Sequence, residues 1–104
     1  MAIRPEILSK QRELAELCRK YRVKTLEVFG SAAMDSFDPA RSDVDFLLEF
    51  EDDSVSGYFD RYFGLKEALE SLFGRPVDLV TVKSVRNRYF WAAISRSRTP
   101  LYVA

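Results

Sequence analysis

The segment that most restricts how this chain can fold is a short apolar run with carboxylates embedded in it. Val44-Asp45-Phe46-Leu47-Leu48 has the length and composition of a buried strand, and Asp43 immediately precedes it. Residues two apart on a strand point to the same face, so the carboxylates of Asp43 and Asp45 lie side by side. Val44 and Phe46 face the other way. Adjacent carboxylates repel and are costly to bury unpaired, so this strand end is predicted to require a cation.

The composition narrows the classes of protein and of site. With 104 residues the chain suits one domain, which we expect to span residues 1–104. Its 16 basic and 16 acidic residues cancel, so net charge predicts neither nucleic-acid nor membrane binding. The absence of histidine excludes Ser-His-Asp and Cys-His catalysis within this chain, and every His-containing metal site. The single cysteine, Cys18, excludes an internal disulfide, and its helical position predicts a small buried hydrophobe.

No sequence feature directs the chain to a membrane or to export. No apolar stretch approaches the roughly 20 residues of a membrane span. The N-terminus lacks the apolar region of a signal peptide. We therefore expect a cytoplasmic protein without membrane association.

Hydrophobic periodicity predicts alternating helices and strands. Helices are predicted over about 5–21, from the region after 54 to Gly74, and over about 85–97 with Ser84 as the cap of the last one. Strands are predicted over 26–29, 43–50 and 75–82. Leu101-Tyr102-Val103 is a further apolar segment. This order predicts a small α/β domain with one sheet of three or four strands. The sheet need not be parallel, because the loop 32–42 can join neighbouring strands without a crossover helix.

A third carboxylate, Asp78, is embedded in the predicted strand 75–82. If that strand neighbours the strand bearing Asp43 and Asp45, the two strands lie about 4.8 Å apart and the three carboxylates can share one or two ions. Mg²⁺ prefers carboxylate oxygens, waters and substrate phosphates. Two such ions roughly 3.5–4 Å apart would clamp the entering and leaving oxygens of a phosphoryl displacement. Taken singly, each aspartate is also consistent with a solvated strand end.

The Gly30-Ser31 pair follows the first predicted strand. Glycine lets the backbone approach a ligand closely, and a serine can begin a helical turn. Free N–H groups at such a turn, together with a serine hydroxyl, form a phosphate site. A Gly-Ser pair by itself is usually only a turn, so its meaning depends on the aspartates that follow.

Gly30-Ser31, an 11-residue gap, Asp43-Val44-Asp45 and a later strand carrying Val77-Asp78-Leu79 resemble the signature of the minimal nucleotidyltransferases of the DNA polymerase β-like superfamily. The likeness also covers 62–82 and the closing Pro100–Val103. As a whole it spans about nine-tenths of the chain, most firmly from 25 to 103. It implies the small polymerase β-like fold, a mixed three- to four-stranded sheet with helices packed on it.

The resemblance also implies roles for these residues. Asp43, Asp45 and Asp78 would be catalytic and would hold one or two Mg²⁺ ions, with Asp78 drawing the proton from the attacking hydroxyl. Gly30 and Ser31 would bind the triphosphate of ATP. Family members often continue with Ala-Arg-Gly one residue after Gly-Ser. This chain has Ala33-Met34-Asp35 there, so that basic residue is missing, and Arg41 is the candidate to replace it.

The family further implies a partner. Larger relatives carry a second domain that grips the acceptor, and this chain offers no residues for one. In the resembling family the acceptor is typically a small all-helical HEPN protein, often an RNase toxin, and the nucleotidyltransferase is its antitoxin. The implied reaction is transfer of AMP from ATP to a partner hydroxyl, with tyrosine as the expected acceptor. Two alternatives stay open: a non-catalytic antitoxin that neutralises its partner by binding, and a nucleotidyltransferase for a small molecule or RNA.

Two surface features bear on the partner. The predicted helix before Gly74 carries clustered aromatics, Tyr58, Phe59, Tyr62 and Phe63, which favour either a wide buried face or a partner groove. After Asp78 the chain has five basic residues and no acid. These cations could contact nucleotide phosphates, an acidic partner, or only solvent. We expect Trp91 to belong to the core, and we expect no direct nucleic-acid binding.

Overall fold

The structure, a computed structural model, describes residues 5–30, 44–51 and 57–104. Ser31, the loop 32–42 with Arg41, Asp43 and residues 52–56 lie outside this described part. The elements are α1 (Pro5–Leu8), α2 (Gln11–Lys20), β1 (Val23–Phe29), β2 (Val44–Phe50), α3 (Tyr58–Phe73), β3 (Val77–Thr81), a 3₁₀ turn (Val82–Ser84), α4 (Arg88–Ser95) and β4 (Thr99–Val103). None of the helices in the described ranges is long and apolar enough to cross a membrane.

The strands form one sheet in the order β3-β2-β1-β4. β1 is antiparallel to both β2 and β4, whereas β2 and β3 are parallel. The predicted mixed sheet is therefore confirmed, with four strands. The edge strand β4 includes Pro100. Proline has no N–H to donate to a neighbouring strand, and it is tolerated in a strand at the edge of a sheet.

The two faces of the sheet bury different residues. On one face, Val44, Phe46 and Leu48 of β2 pack in a core cluster with residues of α2 and α3. On the other face, Leu47 packs with Phe29 and with Ile94 of α4. Alternation along β2 thus sends its even-numbered residues into the larger core and its odd-numbered residues, including Asp45, to the face covered by α4.

The predicted N-terminal helix over 5–21 is wrong in its continuity. The structure breaks it at Ser9-Lys10 into α1 and α2. Between Leu8 and Leu14 the sequence has five consecutive polar residues, so no buried side chain holds the helix together there. Ile7 is nevertheless buried in the main core, as is Cys18, whose burial was predicted.

The last predicted helix is shorter than expected. α4 begins at Arg88 rather than at about 85, and its N-cap is Asn87. The Asn87 Oδ1 accepts hydrogen bonds from the N–H groups of Tyr89 (2.8 Å) and Phe90 (3.2 Å). Ser84, the predicted cap, instead donates its hydroxyl to the Thr81 carbonyl at 2.8 Å. The Asn87 side chain determines where this helix starts, because it accepts hydrogen bonds from two amides that have no partner within the helix.

The end of α3 is where the sequence predicted it. Gly74 follows Phe73 with a φ of +66°, the left-handed conformation that closes a helix and that glycine adopts without strain. Its N–H donates to the Glu70 carbonyl at 2.8 Å. This stop fixes the short connection to β3 and hence where Asp78 enters the sheet.

Candidate functional site

Two of the predicted carboxylates lie next to each other near the start of β2 and β3. The parallel ladder pairs Asp45 directly with Asp78, one residue after Val44 pairs with Val77. Paired residues on neighbouring strands share a face and the strands are about 4.8 Å apart. Val77 is buried in the main core, so Asp78 faces the α4 side together with Asp45. Asp45 is half-buried and Asp78 is exposed.

This pair has the chemistry of a divalent-cation site. Like charges directly opposite each other on a sheet are destabilising, and oxygen ligands from two carboxylates suit Mg²⁺. The described residues contain no group of three or more His, Cys, Asp or Glu placed to hold a metal. Asp43, the third predicted ligand, directly precedes β2 but lies outside the described ranges. The two described carboxylates have the chemistry to fit such a cation, and the three-ligand site stays a prediction.

Gly30 lies against this pair because β1 ends beside the start of β2. Phe29 is the ladder partner of Asp45, and Gly30 follows with a φ of +71°. A Cβ placed at Gly30 would lie 2.5 Å from the Asp45 Oδ2. Only glycine leaves room for the carboxylate here. The close approach found at Gly30 is to a side chain of the protein itself, and the close approach to a ligand inferred from the sequence stays a prediction.

The Gly30 amide is already engaged. Its N–H donates to the Ser97 Oγ at 2.8 Å, across 67 residues of sequence. In this structure the Gly30 amide is therefore paired with Ser97, and the role of Gly30 in binding the triphosphate stays a prediction. The amides of Ser31 and of the residues after it lie beyond the described residues and stay candidates for that role.

A partly buried ion pair adjoins Ser97. Arg98 forms two hydrogen bonds with the Glu27 carboxylate: Nε to Oε1 at 3.0 Å, and Nη2 to Oε2. Only 9% of Glu27 is exposed, and its hydrogen bond to Arg98 raises the pKa of that arginine. The Arg98 guanidinium also lies 4.9 Å above the ring of the partly buried Trp91, which packs against the α4-side cluster. Arg98 is thus structural rather than an available phosphate ligand.

The sequence analysis missed both Ser97 and Glu27. Glu27 interrupts an apolar strand between Leu26 and Val28, and this embedded charge was a usable signal for a buried pair. Ser97 gave no such signal, since serine is common in turns and its partner is a backbone amide of a distant strand.

The free edge of β3 is covered by side chains of α3. The Tyr62 hydroxyl donates to the Leu79 carbonyl, and the Val77 N–H donates to the Glu70 Oε2 at 3.2 Å. Burial raises the pKa of the Tyr62 phenol, and the nearby Tyr58 and Asp78 raise it further. Covered edges resist pairing with other chains, so β3 presents its side chains rather than its backbone.

The aromatic residues of α3 divide into two pairs. Tyr58 and Tyr62 pack against the main core, whereas Phe59 and Phe63 are 68% and 54% exposed. The two phenylalanine rings stack with their centroids 6.4 Å apart. All four line a groove of about 250 Å³ that also contacts Leu79, Thr81 and Ser84. The prediction that these aromatics form one wide buried face is therefore wrong for Phe59 and Phe63, which form an exposed apolar surface beside β3.

Comparison with known proteins points to one family. Residues 11–99 match the family profile described as nucleotidyltransferase domain. The chain is 39% identical over 84 residues to the Methanocaldococcus jannaschii protein named "Putative protein adenylyltransferase MJ1379", covering 81% of this chain and 80% of that one. It is 35% identical over 89 residues to "Putative protein adenylyltransferase MJ0128" of the same organism, covering 86% and 85%.

Solved structures share the fold. One described as a "putative minimal nucleotidyltransferase" superposes with a TM-score of 0.73 at 28% identity, covering 90% of this chain and 91% of that chain. The complex of a tri-AMPylated HEPN toxin with its MNT antitoxin from Shewanella oneidensis contains a chain with a TM-score of 0.65 at 17% identity, covering 94% and 73%. At that identity the second likeness extends to the fold alone.

Proposed function

Since the chain belongs to the nucleotidyltransferase domain family, we propose that it transfers AMP from ATP to a hydroxyl group of a partner protein of the HEPN toxin class and so acts as an antitoxin. The observation that carries this proposal is the direct pairing of Asp45 with Asp78 beside Gly30. The names of the M. jannaschii relatives support adenylyl transfer to protein, and the toxin–antitoxin complex supports the class of partner.

The cation site consists of Asp45 and Asp78, with Asp43 as the third ligand. Their oxygens would hold one or two Mg²⁺ ions, which relieves the repulsion between adjacent carboxylates. When bound, the metal supplies charge neutralisation for the phosphates and for the displaced pyrophosphate. The half-buried Asp45 is fixed between β1 and β3, so its carboxylate offers a rigid ligand, and the exposed Asp78 is open to incoming groups.

The proposed phosphate site begins at Gly30. Ser31 and the amides after it bind the triphosphate, while Gly30 itself leaves room for the Asp45 carboxylate. Ser31 is a ligand and not a nucleophile, because the chain has no histidine to activate it. Replacement of Ser31 by alanine is therefore expected to raise the KM for ATP more than it lowers kcat.

Asp78 acts on the acceptor. The acceptor oxygen forms a bond to the α-phosphorus of ATP, the bond from that phosphorus to the β-phosphate oxygen breaks, and pyrophosphate leaves. The proton of the acceptor hydroxyl passes to the Asp78 carboxylate. General-base assistance of this kind contributes about 10²–10⁴-fold, so Asp78→Asn should lower transfer by at least that factor.

The acceptor comes from another protein. We assign the acceptor hydroxyl to a tyrosine of the partner. The partner itself docks on the exposed rings of Phe59 and Phe63. That surface adjoins β3, the strand that carries Asp78, through Tyr62 and Leu79. Aromatic residues concentrate in the cores of protein interfaces, which agrees with two exposed stacked phenylalanines.

Mass spectrometry of the partner tests this function. The purified chain is incubated with ATP, Mg²⁺ and a HEPN protein encoded beside it, and the partner should gain the mass of one or more AMP units. The chain with ATP and Mg²⁺ alone should release little pyrophosphate, because the proposed acceptor belongs to the partner. A partner whose mass stays constant while its activity is inhibited would show instead an antitoxin that acts by binding. Fast pyrophosphate release by the isolated chain would mean that water or a hydroxyl of the chain itself accepts AMP, and would contradict the assignment of the acceptor to a partner.

A further inference from the structure

We propose that Ser97 is a positioning residue for nucleotide transfer. Its hydroxyl holds Gly30, the first residue of the proposed phosphate site, in place against Asp45, and so sets the spacing between Gly30 and the carboxylates proposed to bind the metal. This inference rests on the proposed function, because Ser97, which lies near the C-terminal end of the sequence, would position the nucleotide site proposed there.

The contacts around Gly30 carry the first step. On one side its N–H donates to the Ser97 Oγ at 2.8 Å. On the other side its α-carbon faces the Asp45 carboxylate so closely that a Cβ would lie 2.5 Å from Oδ2. The first residue of the turn is therefore fixed between a hydrogen-bond acceptor and a predicted metal ligand. Its place cannot change without changing one of these two contacts.

Ser97 is itself held rigidly, which is the second step. It is 6% exposed and lies between α4 and β4. Its N–H donates to the Ile94 carbonyl at 3.1 Å, and its carbonyl accepts from the Thr99 hydroxyl at 3.1 Å. The next residue, Arg98, is bound by the Glu27 carboxylate. A binding group keeps its geometry when its supports are locked by packing and hydrogen bonds, and Ser97 meets that condition.

The third step compares the effect of losing the Ser97 hydroxyl on folding with its effect on catalysis. One neutral hydrogen bond changes an equilibrium by about tenfold or less, so losing the Ser97 hydroxyl should leave the fold largely intact. Misplacement of a substrate-binding group by about 1 Å can lower catalysis by about 10²-fold. The hydroxyl is therefore expected to affect ATP binding and transfer more than it affects folding.

The test compares Ser97→Ala with Ser97→Thr, which keeps a hydroxyl, and with Ser95→Ala, which removes an exposed hydroxyl from α4 as a matched control. Three quantities are measured: the KM for ATP and kcat in the partner-transfer assay, the Tm, and the hydrogen-exchange rate of the Gly30 amide by NMR. We expect Ser97→Ala to raise the KM by about tenfold and to speed exchange at Gly30. Ser97→Thr should restore both toward wild type, and Ser95→Ala should change neither.

The outcomes separate this inference from the proposed function. A Ser97→Ala protein with wild-type KM, whatever its Tm, would reduce Ser97 to a purely structural residue and overturn the inference while the transferase assignment stands. Unchanged exchange at Gly30 would overturn it as well. Absence of any transfer by the wild-type pair would remove the proposed function and this inference together. If Ser97→Ala does not fold, Ser97→Cys, whose sulfur is a weak acceptor, gives the same comparison.

Discussion

Asp45 and Asp78 are directly opposite partners in the parallel ladder of β2 and β3. They are 33 positions apart in the printed sequence, yet the ladder makes them neighbours on one face of the sheet. Two carboxylates in this arrangement destabilise the folded protein through their repulsion. A bound divalent cation offsets it, and this relationship underlies the first two predictions.

Mg²⁺ should stabilise the wild-type protein through this pair. In EDTA, Asp78→Asn should be more stable than wild type by about 0.2–1 kcal/mol, because a like-charge pair is removed. In millimolar Mg²⁺ the order should reverse, because only wild type retains both ligands. Thermal unfolding with and without Mg²⁺ measures this, and Asp60→Asn, at an exposed position of α3, should respond to Mg²⁺ as wild type does. An identical Mg²⁺ response in Asp78→Asn would argue against the cation site.

The double variant Asp43→Asn with Asp45→Asn should abolish AMP transfer while the fold is kept. Neutral amides have nearly the shape of the carboxylates but are far weaker ligands for a hard cation. Circular dichroism and the partner mass assay report the two properties separately. Transfer at the wild-type rate by this variant would contradict the assignment of the metal ligands.

Gly30→Ala should inactivate the protein, and Gly74→Ala should not. Both glycines have positive φ, +71° and +66°, so alanine at either should cost about 1–2 kcal/mol of backbone strain. Only at Gly30 does the added Cβ meet the Asp45 carboxylate, since nothing lies within 4 Å of a Cβ at Gly74. Urea unfolding should give a loss of stability for Gly30→Ala at least as large as that for Gly74→Ala, and the transfer assay on the folded proteins should separate the two variants. Equal activities would mean that the contact with Asp45 is unimportant.

Phe59→Ser combined with Phe63→Ser should weaken partner binding without destabilising the fold. The two rings are largely exposed, so surface substitution should change the free energy of unfolding by no more than about 0.5 kcal/mol. If they form an interface core, their loss should cost at least about 2 kcal/mol of binding free energy. Isothermal titration with the partner measures this. Tyr89→Ser, another exposed aromatic but on α4, is the matched control and should bind normally.

Cys18 should be inert at neutral pH. Burial raises the pKa of its thiol from 9.0 to about 12, so the thiolate that reacts with disulfide reagents is scarcely populated in the folded protein. The unfolded thiol loses its proton first as the pH rises. The contribution of Cys18 to stability is therefore complete below about pH 9 and is lost as the pH approaches 12. Reaction with Ellman's reagent at pH 8 should require urea, and fast reaction of the native protein would contradict this.

Some features of the fold could be predicted because they depend on short stretches of chain. The alternation of Val44, Asp45 and Phe46 correctly assigned the two faces of β2, and Gly74 correctly ended α3. Where neighbouring elements decide, prediction was weaker. The helix 5–21 is interrupted because its polar middle contributes no buried side chain. α4 starts at Arg88 because the Asn87 side chain, rather than that of Ser84, accepts the hydrogen bonds of its first amides.

The sequence by itself determined which residues could form the site: Gly30 at a strand end, and Asp45 and Asp78 within apolar strands, since backbone alternation and the cost of burying charge are local properties. Only the tertiary structure decided which of them meet. The parallel pairing of β2 with β3 aligns Asp45 with Asp78, and the turn after α4 brings Ser97 to the Gly30 amide. Such contacts join residues tens of positions apart, so strand order and packing of the whole sheet fix them, and no local pattern records them.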